Sequence, residues 1–418
     1  MPDKPRWFSL KTLFWGSYDL ANTIFSMAVI TLFLPQWIID DLGLPDMAYA
    51  VALSLSMLLV GLTTPYLGQR SDERGDHISP LRRLTMLSVV STGLMGLATL
   101  LGLPPVWSGI VVLLLFIPAN YGFQAAQVFY NSLLPQVSTE QTRGKVSGLG
   151  VAMGYLGSII AFVVIFPFTQ GTVIASYAGR TAAFIPTAIF FGLLSIPCLF
   201  FIKERKTPRP RPKQGIWKRY LSVLKETGNY PGLRRYLLAA FLFLEAIHTV
   251  ISWMAVYIQK VLNIPDLNKI PIFLAGTAAS IIGGLTWGFL TDRIGPKRSL
   301  VIILSGWLVT LTVGALSDSI EVFYGVAAGI GFLLAGVWTT IRPMLLTLVP
   351  AETAGEFFGI LALAGKAAAV IGPLLWGAVT LIFSAIEPWN YRLALLTMGG
   401  LILAGLLVFL GVKREPQV

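Results

Sequence analysis

Apolar residues in this chain run in long blocks separated by short polar interruptions, and the blocks do not alternate with period two. Runs of about 20 apolar residues, the length that crosses a roughly 30 Å hydrocarbon layer, fall near 13 to 35, 48 to 67, 84 to 102, 107 to 129, 146 to 168, 182 to 202, 236 to 259, 271 to 290, 299 to 317, 322 to 341, 357 to 383 and 392 to 412, twelve in all. Backbone groups in lipid must be satisfied within their own segment, so each run is expected to be a helix. The absence of two-residue alternation argues against a transmembrane barrel. The pattern predicts an all-α membrane protein with twelve transmembrane helices. The first run follows Lys4, Arg6 and Lys11, as the core of a signal peptide would, but it is too long and has no small-x-small cleavage site. It is read as a helix.

Composition agrees. Of 418 residues, 55% are hydrophobic and 12% charged, against about 25% charged in soluble domains, and the mean hydropathy is +0.74. The net charge of +11 does not indicate a nucleic-acid partner, because the charge is distributed by loop. With a cytoplasmic N-terminus, only Arg180, Lys260, Lys269 and Arg392 fall in opposite-side loops and Lys366 lies inside a run; the other 26 of the 31 Lys and Arg occupy cytoplasmic loops and tails. This is the positive-inside pattern. It places both termini in the cytoplasm and the chain in a cell membrane as a multi-pass protein touching anionic headgroups. Cys198 is the only cysteine, so no disulfide within the chain and no cysteine metal site is expected.

The chain divides into two halves. Residues 203–235, "KERKTPRPRPKQGIWKRYLSVLKETGNYPGLRR", are basic and proline-rich. Within them Ile216, Trp217, Tyr220, Leu221 and Leu224 recur at helical spacing opposite Lys218, Arg219 and Lys225, which predicts either a helix lying in the headgroup plane or a linker with chance periodicity. Domains are expected at 1–202 and 236–418, and they echo each other. "GQRSDERG" from Gly68 and "GFLTDRIGPKR" from Gly288 place Gly, Asp and Gly at identical spacings; "VSTEQTRGKVSG" from Val137 is echoed by "VPAETAGEFFG" from Val349; Asp19, Asn22 and Thr23 correspond to Glu245, His248 and Thr249. Parallel six-helix repeats are a recurring plan of secondary transporters, with substrate sites near the midplane.

"GFLTDRIGPKR" resembles the loop signature of the major facilitator superfamily, and "GQRSDERG" its first-half copy. Within that superfamily, "YDLANT", "LLPQVSTEQTRGKVSGLGVAMGYLGS" and "VPAETAGEFFGILALAGKAAAVIGPLLWG" resemble the Atg22-like vacuole effluxer (UMF1) family. The resemblance implies two pseudo-symmetric six-helix bundles, alternating access, and amino-acid movement as in the yeast vacuolar branch. It also implies that Gly68, Asp72, Gly288, Asp292, Arg293, Arg143 and Arg342 form a conformational latch between helix pairs. Glu73 stands where the superfamily has a base, "DHISP" separates Gly75 from Arg82 and Arg83, and Glu245-Ala246 stands where the family has an Asp-Gly pair.

Three charged residues lie well inside apolar runs: Asp19, Glu245 and Lys366. A charge at the centre of a spanning helix costs about 2.5 to 3.5 kcal/mol on insertion scales, so such groups face protein or water and mark functional sites. The resemblance makes the helices of Asp19 and Glu245 symmetry mates lining a central cavity. Desolvation makes proton exchange by a carboxyl group feasible near neutral pH, so Glu245 is read as a coupling or binding site, or else as half of a structural ion pair. Asp19 either does the same or hydrogen-bonds Tyr18, Asn22 or a neighbouring helix. His248, a turn beyond Glu245, either packs structurally or shares its proton. Lys366 binds a substrate carboxylate or is the counter-ion of Glu245 or Asp19. Asn120 and Gln124, with Gln127, share one helix face and either bind polar substrate or join helices. Asp72 and Asp292, at helix ends, hold a neighbouring helix N-terminus or an arginine.

The functional expectation is a secondary active transporter, not an enzyme, of a small polar metabolite, with protons as coupling ion and an amino acid favoured by the resemblance. It is expected to be a monomer without cofactor, metal or nucleic acid. A drug/proton antiporter and a sugar-cation symporter are the alternatives within transport. A membrane receptor or sensor, which an appended soluble domain would favour, is the alternative outside it.

Overall fold

The computed structural model describes residues 7–174, 178–204, 222, 225–263 and 266–412, with the side chains of 46, 266–270 and 366–370 outside that description. The expected interfacial stretch from Ile216 to Leu224 also lies outside it, apart from Ser222.

Among the described residues there are helices and no strand. Ten helices are long and apolar enough to cross a membrane: α1 (Leu10–Asp41), α2 (Asp46–Arg74), α4 (Pro105–Ser132), α5 (Arg143–Thr169), α6 (Arg180–Phe201), α7 (Leu233–Leu262), α8 (Asp266–Ile294, apolar from Pro271), α9 (Pro296–Leu316), α10 (Ile320–Leu345) and α12 (Trp389–Leu410). Two further helices, α3 (Ile78–Thr99) and α11 (Ala354–Ile382), bring the long helical segments to twelve. Their bounds follow local chemistry. At the start of α1, Ser9 and Thr12 form a reciprocal capping box, which satisfies amides the helix leaves open. At the end of α2, Gly75 turns to φ 59°, a conformation glycine adopts without the steric cost other residues meet.

Helix pairing repeats between the halves. The first half packs α2 on α4, α3 on α4, α3 on α6 and α1 on α6; the second packs α8 on α10, α9 on α10, α9 on α12 and α7 on α12. The internal echo in sequence is therefore an echo in packing, as a parallel repeat requires.

Two compact units emerge from the contacts. One holds α1 to α4, α5 from Met153, α6 and the segment Ala354–Gly359. Phe25, Trp37, Phe116, Phe123, Phe184 and Phe191 anchor its core. The other holds Glu140–Ala152, α7 to α10, α11 from Ile360 and α12. Its buried residues include Trp307, Trp376, Tyr236 and Tyr257. Large apolar side chains stay exposed along both, among them Leu62, Leu114, Val309 and Leu407. Such a surface is a liability in water and the expected one where lipid is the solvent.

Candidate functional site

Within the first unit, Asp19 sits on α1 with 6% of its surface exposed. The Tyr130 hydroxyl of α4 donates to Asp19 Oδ2 at 2.9 Å and the Asn22 amide to Oδ1 at 3.4 Å. Tyr130 is held in turn: its ring stacks on Trp15 at 4.4 Å and on Tyr18 at 5.0 Å, and its carbonyl accepts from the Trp15 indole at 3.1 Å. Tyr18 shares a 2.8 Å hydrogen bond with Thr85 of α3. Of the expected alternatives for Asp19, the structure displays the hydrogen bonds to Asn22 and a neighbouring helix. Tyr130 was not among the expected site residues. Its only sequence signal is its place three positions beyond Gln127, continuing the polar face of α4.

Asn120 is fully buried and donates to Ser56 of α2 at 2.7 Å, a bond between helices. Gln124 is half-buried one turn further along α4.

Within the second unit, Glu245 on α7 is 2% exposed. Its Oε1 accepts from the backbone amide of Gly372 on α11. Its Oε2 is buried with no hydrogen-bond partner among the described residues. Gly372 precedes Pro373, which has no N–H for the helical ladder, and a Cβ at Gly372 would meet Glu245 Oε1 at 2.7 Å. A close backbone approach thus requires glycine where the carboxyl meets the helix. His248, one turn on, stacks against Trp338 of α10 with ring centroids 5.7 Å apart. The side chain of Lys366 lies outside the described residues.

The helix-end acids share one geometry, each within its own unit. In the first, Asp72 accepts from the amides of Gly355 at 3.0 Å and Glu356 at 2.7 Å, the second and third residues of α11. Thr353, at the N-cap of that helix, makes no side-chain cap bond, so the carboxylate stands in for the missing cap. In the second, Asp292 accepts from Gly144 at 2.6 Å and Lys145 at 3.0 Å, the second and third residues of α5. Gly68 and Gly288 admit the approach: a Cβ on Gly68 would collide with the Gly355 carbonyl, and one on Gly288 would lie 2.9 Å from the Gly144 carbonyl. The acids hold helix N-termini, one of the two expected options. Arg143 pairs with Glu140 at 3.8 Å and donates to the Leu346 carbonyl at 3.4 Å. Arg342 lies in the last turn of α10, its carbonyl bound by the Leu346 amide, and Arg293 is exposed at the end of α8.

Charge around the two acids differs. The Lys145 ammonium lies 3.9 Å from Asp292. Asp72 instead meets His77 Nε2 at 2.8 Å, and His77 Nδ1 meets Glu204 at 2.5 Å. Glu204 also accepts from the amides of His77 at 2.8 Å and Ile78 at 3.1 Å, capping α3. Burial by itself would lower the His77 pKa, but hydrogen bonds and charge from Asp72 and Glu204 outweigh it and raise the pKa to about 9. His77 is therefore an imidazolium at neutral pH. It lies in the "DHISP" insertion that sets this loop apart from the superfamily signature.

Among the described residues, twelve long helical segments in a repeated pairing, with Asp19 and Glu245 buried well inside two of them, have the architecture of a membrane transporter of the major facilitator class. A model of the family described as "Vacuole effluxer Atg22 like" matches residues 48–416, and the chain belongs to that family. It is 28% identical to an Aquifex aeolicus protein across 97% of this chain and 98% of that one, and 25% identical to the MFS-type transporter YxiO of Bacillus subtilis across 86% of each. Its fold is similar to that of a bacterial homologue of the iron transporter ferroportin in an outward-facing state, with TM-score 0.74 and 15% identity over 96% of this chain and 99% of that one. The family is one of transporters and not of enzymes.

Proposed function

We propose that this transporter moves a small polar metabolite, an amino acid by family resemblance, by proton-coupled alternating access, and that Glu245 carries the proton. One observation supports this reading above the others: Glu245 is buried in a spanning helix with one oxygen on a backbone amide and the other idle among the described residues. A carboxyl group so placed exchanges a proton without dismantling a hydrogen-bond network. If the two access states hydrate it differently, its proton affinity differs between them, and a proton gradient biases the cycle. Asp72 and Asp292 act as latches, because each ties an acid to a helix N-terminus in the manner of a releasable cap.

Lys366 binds the substrate carboxylate in this reading. Thermal-shift screening of the purified protein against amino acids, their amides, sugars and organic cations tests it. Amino acids should stabilise the protein more than their amides, and Lys366→Ala should remove the difference. Equal stabilisation by acid and amide would reject the carboxylate role, and a response confined to sugars or cations would move the substrate to those classes.

Both termini are cytoplasmic in this reading, on the strength of the Lys and Arg asymmetry. In a Cys198→Ser background, Leu101→Cys and Gln141→Cys, both at exposed positions, should label from opposite sides of the membrane, Leu101→Cys from outside. Labelling of Gln141→Cys from outside would invert the topology.

A further inference from the structure

Within the second unit, the N-terminal ends of α7 and α9 and the C-terminal end of α12 border an open cavity of about 630 Å³, inside the roughly 300 to 1,000 Å³ range of small-molecule sites. Among the described residues that line it, three are cations, Arg235, Lys297 and Arg298, and none is acidic. Two of the cations have neutral partners: Arg235 donates to the Gly411 carbonyl at 2.8 Å, and Lys297 to the carbonyls of Val412 at 2.6 Å and Leu410 at 3.2 Å. These bonds cap α12, and among the described residues they set no carboxylate against the positive charge. Arg298 is exposed.

The backbone adds to the same field. Helix α9 opens at Gly295, which has no side chain to cap it, followed by Pro296 at the first position. The amides of Lys297 and Arg298 therefore receive no side-chain oxygen from the cap residue, and they sit at the positive end of the helix dipole. Cations and open amides around one cavity fit a phosphate group.

The cavity also continues into an apolar surface. Leu410 lines it, and Leu403, Leu407 and Leu410, at 45%, 62% and 50% exposure, follow one another at helical spacing down one face of α12. A free phosphate has no use for such a stripe; an acyl chain does. Basic pockets between spanning helices bind anionic headgroups.

We infer that this cavity is a binding site for an anionic phospholipid, whose phosphate sits among Arg235, Lys297, Arg298 and the start of α9 while an acyl chain lies along Leu403, Leu407 and Leu410. Native mass spectrometry of the intact purified protein tests it, with dioleoyl phosphatidylglycerol and dioleoyl phosphatidylcholine offered at equal concentration. The wild type should retain phosphatidylglycerol preferentially. Arg298→Gln, which leaves the α12 caps in place, should weaken that preference roughly fivefold, the equivalent of about 1 kcal/mol per charge. The triple change Arg235→Gln, Lys297→Gln and Arg298→Gln should abolish it. Millimolar inorganic phosphate, at ionic strength matched with chloride, should not displace the lipid. Equal retention of both lipids, or a preference unchanged in Arg298→Gln and in the triple variant, would overturn the inference. Displacement by inorganic phosphate, together with equal thermal stabilisation by phosphate alone, would overturn the lipid assignment in favour of a soluble phosphate.

Discussion

Asp19 and Glu245 are both carboxyls inside spanning helices at corresponding places in the repeat, yet their surroundings have diverged. Asp19 accepts from a tyrosine fixed between two aromatic rings and from Asn22. Glu245 accepts from backbone amides of α11, at Gly372 and more weakly at Ile371, and its Oε2 meets no hydrogen-bond partner among the described residues. The helix-end acids differ in the same sense. Asp72 has two amides and a buried imidazolium, itself bound by Glu204. Asp292 has two amides and a lysine at 3.9 Å. A carboxylate with its bonds all made gains little by changing state, whereas one with an idle oxygen can change at low cost. In the proposed reading this contrast sets Asp19, with both oxygens bonded, as a structural group and Glu245 as the group that cycles a proton.

The largest difference is expected between the latches. Asp72→Ala removes the acceptor of two backbone amides and leaves the His77 charge buried beside Glu204 alone, the kind of loss that costs about 3 to 5 kcal/mol. Asp292→Ala removes the acceptor of two backbone amides beside a lysine that is a quarter exposed, and about 1 to 3 kcal/mol is expected. Thermal unfolding of both purified variants compares them. Equal losses would remove the distinction between the two ends.

A smaller, pH-dependent effect should separate them further. The folded pKa of His77 is raised to about 9 from an ordinary value near 6.5. Its contribution to stability is therefore complete below about pH 6.5 and is lost as pH rises through about 9. The melting-temperature gap between wild type and His77→Gln should be widest near pH 6 and close as pH approaches 9. A gap for His77→Gln that is constant across the range would contradict the ion pair.

The spans and their number were legible because lipid imposes a length and an apolarity that hardly any other environment demands. The repeat was legible because its glycines and acids keep their spacing. The partners of those acids were less so. Tyr130 reaches Asp19 from 111 residues away, and no local periodicity reports a contact between helices. Arg143 and Arg342 stood out as candidate latch partners because side-chain charge is visible in sequence, whereas the amides of Gly144 and Gly355 that meet the acids are backbone and leave no letter of their own. His77 was visible only as a departure, the "DHISP" insertion; its role needed Glu204, 127 residues on. Gly372 lets the Glu245 carboxyl reach the α11 backbone, another contact between helices that no local spacing reports.

The most direct measurement is accumulation against exchange in proteoliposomes, once a substrate has been identified by the screen. Glu245→Gln keeps the shape of the side chain but cannot cycle a charge. With an imposed proton gradient, it should lose concentrative uptake while retaining exchange of labelled for unlabelled substrate, and Asp19→Asn, if it folds, should keep gradient dependence. Concentrative, gradient-dependent uptake by Glu245→Gln at the wild-type level would contradict the assignment of the proton to Glu245.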